Sequence, residues 1–170
     1  MASPAPSAPT GAFTSQEFRR VVGNFATGVT VVTTRAGSAP QGLTVNAFSS
    51  LSLTPPLVLV CIDKNVNSHG AIAQSGVFAV NILARDQEEV SKRFADKAWE
   101  GRRFEGLAHR AAATGAPILD GAVAYIDCRV ASALEWGDHT IFVGKVEDLK
   151  VQREAEPLLF FRGKYARLGA

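Results

Sequence analysis

Cysteine and histidine are scarce in this chain, and their positions argue against two kinds of site. The two cysteines, Cys61 and Cys128, lie in separate apolar runs and form no C-x-x-C pair. This arrangement predicts buried, reduced core thiols and hence a cytoplasmic protein, because disulfides form in oxidising compartments. The three histidines, His69, His109 and His139, are scattered without ligand spacing, so the sequence predicts no metal site.

Long apolar runs, basic blocks and nucleotide-binding signatures are also missing. No apolar run approaches the roughly 20 residues that cross a bilayer, which predicts no membrane partner. The net charge is +2 with no basic block, which argues against nucleic acid as a partner. The chain has no G-x-G-x-x-G, Walker A or G-x-S-x-G motif, so a Rossmann dinucleotide site and an α/β-hydrolase triad are both poorly supported.

The chain does contain one domain's length of β-rich sequence. Residues 1–13 are rich in Pro, Ala and Ser and predict a disordered N-terminal tail, and residues 14–170 predict a single domain. β-branched and apolar runs predict strands over residues 29–34, 57–62, 78–83, 122–134, 139–149, 158–161 and 164–168. Shorter periodic patterns predict helices over residues 14–28, 69–74 and 87–94. This count of strands predicts a mainly β fold, a barrel of six or more strands with a few short flanking helices.

One predicted strand carries more polar residues than a core strand should. The run from Gly42 to Leu53 follows an expected turn over residues 37–42 and leads through Thr54, Pro55 and Pro56 into the apolar strand at Leu57. Its small polar side chains and backbone groups are typical of a wall that faces a flat polar ligand. A merely solvated barrel face is the alternative.

Four local motifs resemble those of the short-chain flavin reductases, the NAD(P)H:flavin oxidoreductase components of two-component monooxygenases. The motifs are Phe25–Val32 (FATGVTVV), Gly42–Ser50 (GLTVNAFSS), Gly137–Gly144 (GDHTIFVG) and Pro157–Tyr165 (PLLFFRGKY). Their order and their span, from about Phe18 to Leu168, cover nearly the whole chain. The resemblance implies an FMN-binding split β-barrel that forms homodimers. It also implies that NADH or NADPH reduces FMN or FAD, and that the reduced flavin passes to a separate monooxygenase.

The same resemblance assigns cofactor-binding positions in this chain. They are Thr44, Val45, Asn46, Ala47, Ser49, Ser50, Cys61, Ile62, Asp63, Ser68, Phe94 and Tyr165. Several have a structural alternative: Cys61 as a core thiol beside the site, Asp63 with Lys64 as a solvated turn, Phe94 as a core aromatic, and Tyr165 as an amphipathic residue at a strand end. Asn67 or Ser68 either caps the following helix or presents its N-terminus to a phosphate.

His139 is the predicted catalytic residue. It follows a Gly-Asp turn at the start of a strand, and the resemblance places the matching histidine beside the nicotinamide. Its expected role is to orient the nicotinamide or to stabilise charge at the flavin edge, since hydride transfer needs no side-chain acid. His69 and His109 are interpreted as bystanders.

Two questions stay open at this level. A barrel enzyme that keeps FMN permanently and acts on another substrate is one alternative function, and a non-catalytic flavin-binding protein is the other. The aperiodic segment from Ala95 to Ala116 is interpreted as a lid or a dimer contact.

Overall fold

Twelve strands and three α-helices build the part of the chain that the structure, a computed structural model, describes, residues 13–169. The helices are α1 (Ser15–Val22), α2 (Asn67–Ser75) and α3 (Glu88–Ala95), with 3₁₀ turns at Arg85–Gln87 and Lys97–Trp99. The strands are β1 (Thr27–Gly28), β2 (Thr30–Ala36), β3 (Ala39–Val45), β4 (Phe48–Leu53), β5 (Pro56–Asp63), β6 (Val77–Ile82), β7 (His109–Ala111), β8 (Pro117–Leu119), β9 (Ala124–Trp136), β10 (His139–Val151), β11 (Leu159–Phe161) and β12 (Lys164–Ala166). Apart from residue 13, the predicted tail lies outside the described residues, and the domain boundaries stay predictions.

Seven antiparallel strands form the main sheet, in the order β3-β2-β6-β9-β10-β5-β4. Its two edge strands, β3 and β4, are consecutive in the chain and are joined by only Asn46 and Ala47. The N–H of Cys61 on β5 donates to the carbonyl of Ala47 at 3.0 Å. The two-residue link between β3 and β4 therefore connects the two edges of the sheet. The predicted mainly β architecture is confirmed, but the long polar strand is in fact two strands divided at Asn46.

The core lies inside this curved sheet and follows the strand alternation. On β5, Val58, Val60 and Ile62 are at most 5% exposed, whereas the intervening residues are partly exposed on the outer face. Alternate side chains of a strand point to opposite faces, so β5 has one core face and one outer face. A second apolar cluster lies under α3, with Phe94 at its centre and Leu83 and Leu119 beside it.

The 95–116 segment is anchored to the barrel at several points. Phe104 packs edge-on against Phe94, with ring centroids 5.1 Å apart. Arg103 donates through Nη1 to the carbonyl of Gly42 at 2.8 Å. The amide and hydroxyl of Thr114 both donate to the carboxylate of Asp127, which is fully buried on β9. These contacts show how the segment is held, while its role as a lid or dimer contact stays a prediction.

Two predicted element boundaries are wrong. α1 ends at Val22 instead of continuing to residue 28, because the side-chain amide of Asn24 donates to the carbonyls of Arg20 and Val21 and terminates the helix. Only two residues turn between β2 and β3, and Pro40 lies within β3. Proline is tolerated there because β3 is an edge strand, where a missing N–H need not break the sheet.

Between residues 13 and 169, no helix is both long enough and apolar enough to cross a bilayer.

Candidate flavin site

An open cleft of about 890 Å³ lies on the outer face of the barrel. One wall comes from the link between β3 and β4 and from the outer residues of β5. The opposite wall comes from the end of α1, the segment that follows it, and β11. The lining residues are Arg19, Val22, Gly23, Phe25, Ala26, Thr27, Gly28, Thr30, Asn46, Ala47, Phe48, Ser49, Leu59, Cys61, Ile82, Phe160 and Gly163. This volume and this mostly apolar lining are typical of a small-molecule site.

The strand alternation explains which predicted residues reach this cleft. Ser49 pairs with Leu59 across β4 and β5, and both lie on the outer face. Asn46 and Ala47 are exposed because they lie in the link, where the chain leaves one edge of the sheet and enters the other. The structure therefore brings together Asn46, Ala47, Ser49 and Cys61 from the predicted set.

Thr27 gives the cleft an unsatisfied polar group. Its hydroxyl oxygen is buried and has no hydrogen-bond partner among residues 13–169. A buried hydroxyl without a partner is costly, so such a group points to a ligand or water that satisfies it. Next to it, a Cβ added to Gly28 would meet nothing within 4 Å, which shows that the space beside Thr27 is open. The cleft thus fits a flat ring that brings polar atoms at its edge.

The two cysteines differ in their surroundings. Cys128 is fully buried, and burial raises the pKa of its thiol to about 12. Cys61 is only half-buried and lines the cleft, so the prediction that both thiols are buried is wrong for Cys61. It points outward because it alternates with the core residues Val60 and Ile62. Partial burial raises the pKa of the Cys61 thiol, so it stays protonated and serves as a small neutral surface.

His139 lies on the same outer face as Cys61. It pairs with Asp63 across β10 and β5, two residues beyond the pairing of Ile141 with Cys61. Its Nδ1 is 2.7 Å from Oδ1 of Asp138, and this hydrogen bond lowers the pKa of the Asp138 carboxyl. An ionised carboxylate only accepts hydrogen bonds, so Nδ1 carries the proton and Nε2 is left for another partner. The imidazole is not part of the cleft lining.

Several predicted cofactor residues have structural contacts elsewhere. Thr44 donates its hydroxyl to the carbonyl of Ser91 on α3 at 2.6 Å. Val45 and Ile62 are 6% and 1% exposed in the barrel core. Phe94 is 1% exposed and lies so close to Gly42 that a Cβ there would be 2.9 Å from its ring. The roles of these four residues in cofactor binding stay predictions. Because the side chains of Thr44, Val45 and Ile62 are engaged or buried, we expect their backbone groups to make any contact with a cofactor.

Tyr165 and Ser50 also lie outside the cleft lining. The hydroxyl of Tyr165 is 2.8 Å from that of Ser91, and its ring packs edge-on against Phe160, which does line the cleft. Tyr165 therefore supports the cleft wall from behind. Ser50 pairs with Val58, which places it on the opposite face of β4 from Ser49.

The start of α2 differs from the prediction that Asn67 or Ser68 caps the helix. The N-cap position is Val66, and no side chain makes a capping hydrogen bond there. Ser68 is 1% exposed, and its hydroxyl has no partner among residues 13–169. Nearby, Asp63 accepts hydrogen bonds from the backbone N–H and the side-chain amide of Asn65, and the backbone bond in particular lowers its pKa. Capping is therefore wrong for Asn67 and Ser68.

Comparison with known proteins identifies the domain. Residues 22–169 match the family model described as a flavin reductase like domain. The chain belongs to this family. It is 43% identical over 150 residues to the reductase subunit of a flavin-dependent monooxygenase from Rhodococcus jostii (strain RHA1), covering 88% of this chain and 76% of that protein. It is 41% identical over 157 residues to an FMN reductase (NADH) from Agrobacterium fabrum, covering 92% and 88%.

A solved structure of the family shows the same fold. The NADH:FAD oxidoreductase of Streptomyces globisporus C-1027 superposes with a TM-score of 0.88 at 37% identity, covering 97% of this chain and 99% of that one. A second structure of that protein, with a TM-score of 0.85, holds NAD and FAD fragments. The predicted split-barrel fold is thereby confirmed.

The flavin reductase-like domain has cleft residues that the site prediction missed. Most come from the end of α1 and from the FATGVTVV and PLLFFRGKY motifs: Arg19, Val22, Gly23, Phe25, Ala26, Thr27, Gly28, Thr30, Phe160 and Gly163. The others are Phe48, Leu59 and Ile82. Both motifs carried the family resemblance, so the signal was present in the sequence. Only the pairing of β1 with β11, which joins residues more than 130 positions apart, brings them to one side of the cleft.

Proposed function

We propose that this chain is a flavin reductase that uses NADH to reduce free FMN or FAD and releases the reduced flavin to a separate flavin-dependent monooxygenase. The open cleft, with a buried Thr27 hydroxyl that has no partner in the described part of the chain, is the observation that carries this proposal within the family. An open site suits a flavin that must enter and leave. NADH is proposed over NADPH because the relatives from A. fabrum and S. globisporus are named for NADH.

The chain's own residues act by holding and orienting the rings. Leu59, Phe25 and Phe160 offer apolar surface to the ring faces, while Thr27 and Ser49 offer polar atoms to a ring edge. When both molecules are bound, the hydride of nicotinamide C4 carries two electrons to flavin N5, and a solvent proton balances the reduction. Positioning two reactants within contact distance supplies much of the rate of such a reaction.

His139 is proposed to orient the nicotinamide at the edge of the cleft. It shares the outer face of β5 and β10 with Cys61, and its Nδ1–H is held by Asp138. The free Nε2 can therefore accept a hydrogen bond from a carboxamide. The remaining family-assigned positions are proposed to contribute backbone contacts or to support the walls: Thr44, Val45, Ser50, Ile62, Asp63, Ser68, Phe94 and Tyr165.

The homodimer implied by the resemblance is also proposed, with the apolar face of α1 in the interface. No residue of α1 is buried, although the helix is strongly amphipathic. Val21 is 69% exposed and Phe18 is 55% exposed, and the neighbouring Phe25 is 78% exposed at the cleft. A second copy that covers this face would also narrow the cleft.

The use of NADH and the two free thiols fit a cytoplasmic location.

One assay tests the proposed function and its two alternatives. NADH oxidation by the purified protein is measured with and without added FMN or FAD. A rate that saturates with added flavin supports the reductase. A rate that needs no added flavin favours an enzyme with permanently bound FMN, and no NADH oxidation with any flavin contradicts both catalytic functions.

His139→Ala should raise the KM for NADH more than the Kd for flavin, and unchanged NADH kinetics would remove His139 from the site.

A further inference from the structure

Three arginines from two distant parts of the chain surround a second pocket beside the cleft. Arg19 and Arg20 come from the last turn of α1, and Arg162 comes from the turn between β11 and β12. With Gly23 and Asn24 they enclose about 390 Å³. Tertiary structure alone brings these guanidinium groups together, since Arg20 and Arg162 are far apart in the sequence.

The position of Arg162 is set by several contacts. Its backbone has a φ of 49°, the one positive value at a residue other than glycine among residues 13–169. Its N–H donates to the carbonyl of Gly23 at 2.9 Å, and its Nε donates to Oδ1 of Asn24 at 2.8 Å. Its guanidinium lies 4.9 Å from the ring centroid of Phe161. A backbone conformation that costs energy and persists is a reason to look for a function.

The positive charges of this pocket have no partner within the described chain. None of the three arginines has a carboxylate within 4.0 Å among residues 13–169, whereas Arg85 and Arg153 are paired with acids. The side chains of Arg19 and Arg20 make no hydrogen bond to these residues either, and Arg162 uses only Nε. Basic residues in the last turn of a helix favour its dipole, which accounts for Arg19 and Arg20. It does not account for Arg162, which lies on another segment.

The pocket adjoins the cleft. Arg19 and Gly23 line both of them. We infer that the Arg19–Arg20–Arg162 pocket binds a phosphate group of a ligand whose ring lies in the cleft; this rests on the proposed function. Guanidinium groups match phosphate oxygens with paired, charge-assisted hydrogen bonds. FMN, FAD and NADH all carry phosphate, so the ligand that uses the pocket is a question for the experiment.

Two variants remove the charge without reaching into the cleft. Arg20→Gln keeps a polar helical side chain, and Arg162→Gly suits the positive φ, so its backbone strain is relieved. The matched control is Arg129→Gln, which removes one charge from β9, where the arginine side chain is 63% exposed. Urea unfolding of each variant confirms that the fold is retained.

Steady-state kinetics then separate the two sources of phosphate. Riboflavin, which has no phosphate, is compared with FMN and FAD, and the KM for NADH is measured with riboflavin as the acceptor. Losing one charge-assisted contact should raise the KM of the ligand that uses the pocket about tenfold. A rise for FMN and FAD alone assigns the pocket to flavin phosphate, and a rise for NADH assigns it to the dinucleotide. Unchanged KM values for all phosphate-bearing ligands, or an equal rise for riboflavin, would overturn the inference.

A binding measurement separates this inference from the proposed function. Calorimetric titration with FMN and with ADP needs no turnover, and ADP carries a pyrophosphate without a redox ring. Wild-type protein and Arg129→Gln should bind the same probe about tenfold more tightly than Arg20→Gln and Arg162→Gly. If NADH oxidation is absent but this difference is present, the proposed function fails and the phosphate pocket stands. If oxidation is present and no difference is seen for either probe, the pocket is refuted.

Discussion

Gly144 allows a direct test of how tightly the barrel is packed behind the Gly137–Gly144 motif. A Cβ added at this position would lie 2.4 Å from Cζ of Phe78 and 2.8 Å from Cβ of Cys128. Both neighbours are completely buried. Non-bonded carbon atoms prefer separations of about 3.5–4 Å, so the Phe78 ring would have to move by about 1 Å in Gly144→Ala. Phe78 belongs to the main core cluster, so its ring cannot move without displacing other closely packed side chains.

The expected cost lies at the upper end of the range for overpacking. We expect Gly144→Ala to lower the free energy of unfolding by about 3 kcal/mol, which is roughly a 150-fold change in the ratio of folded to unfolded protein. Urea unfolding measures this as a lower midpoint at an unchanged slope. Adding Phe78→Leu should recover part of the loss in the double variant, because the shorter side chain removes the clashing Cζ.

Gly70→Ala is the matched control. Gly70 is exposed in the interior of α2, and a Cβ there would meet nothing within 4 Å. Alanine is the better helix former, so this change should raise the unfolding free energy by about 0.5–1 kcal/mol. The reasoning is refuted if Gly144→Ala unfolds within about 0.5 kcal/mol of the wild type, the range of a harmless surface substitution.

Four further predictions concern polar side chains and assembly. Desolvation raises the pKa of buried Asp127 above its ordinary 3.8, although Thr114 opposes this shift. The folded protein then holds a proton that the unfolded chain releases, so the contribution of Asp127 to stability falls as the pH rises above about 4. In urea titrations at a series of pH values, Asp127→Asn should make this fall in unfolding free energy less steep. Thr27→Val should weaken flavin binding severalfold without loss of stability. Thr30→Val should instead cost about 1 kcal/mol of stability, because the Thr30 hydroxyl donates to a backbone carbonyl. Val21→Glu should shift the protein toward monomer in sedimentation analysis, and a monomeric wild type would contradict the proposed interface.

The local pattern of the chain was sufficient to predict most strands and the fold class. Runs such as Leu57–Ile62 and Phe78–Leu83 are dense in β-formers. In the structure β5 has one buried and one outer face, whereas β6 is buried along both faces from Val77 to Asn81. Boundaries set by a single side chain were missed. The end of α1 depends on the amide of Asn24, and the division of the polar strand depends on how the chain crosses from β3 to β4.

The predicted site residues were also only partly determined by local sequence, and the rest depended on contacts with distant segments. Of the residues that the GLTVNAFSS motif assigned to the site, Asn46, Ala47 and Ser49 lie in the cleft lining, and their role in flavin binding stays a prediction. Thr44 was assigned by the same motif, yet its hydroxyl binds the carbonyl of Ser91 on α3. Which polar side chains face a ligand and which bind another element depends on partners that are distant in the sequence.

The sequence by itself determined the β-rich class, the family and one wall of the cleft, because strand propensity and short motifs are local properties. Only the tertiary structure showed that the segment after α1 and β11 form the opposite wall of the cleft. Pairing of Thr27 with Phe160 brings the segment after α1 against β11, and the same arrangement places Arg162 beside Arg19 and Arg20. Among residues 13–169 the Thr27 hydroxyl has no hydrogen-bond partner and the three arginines have no acidic partner. Both features depend on that contact, since burial and charge proximity arise from the folded chain.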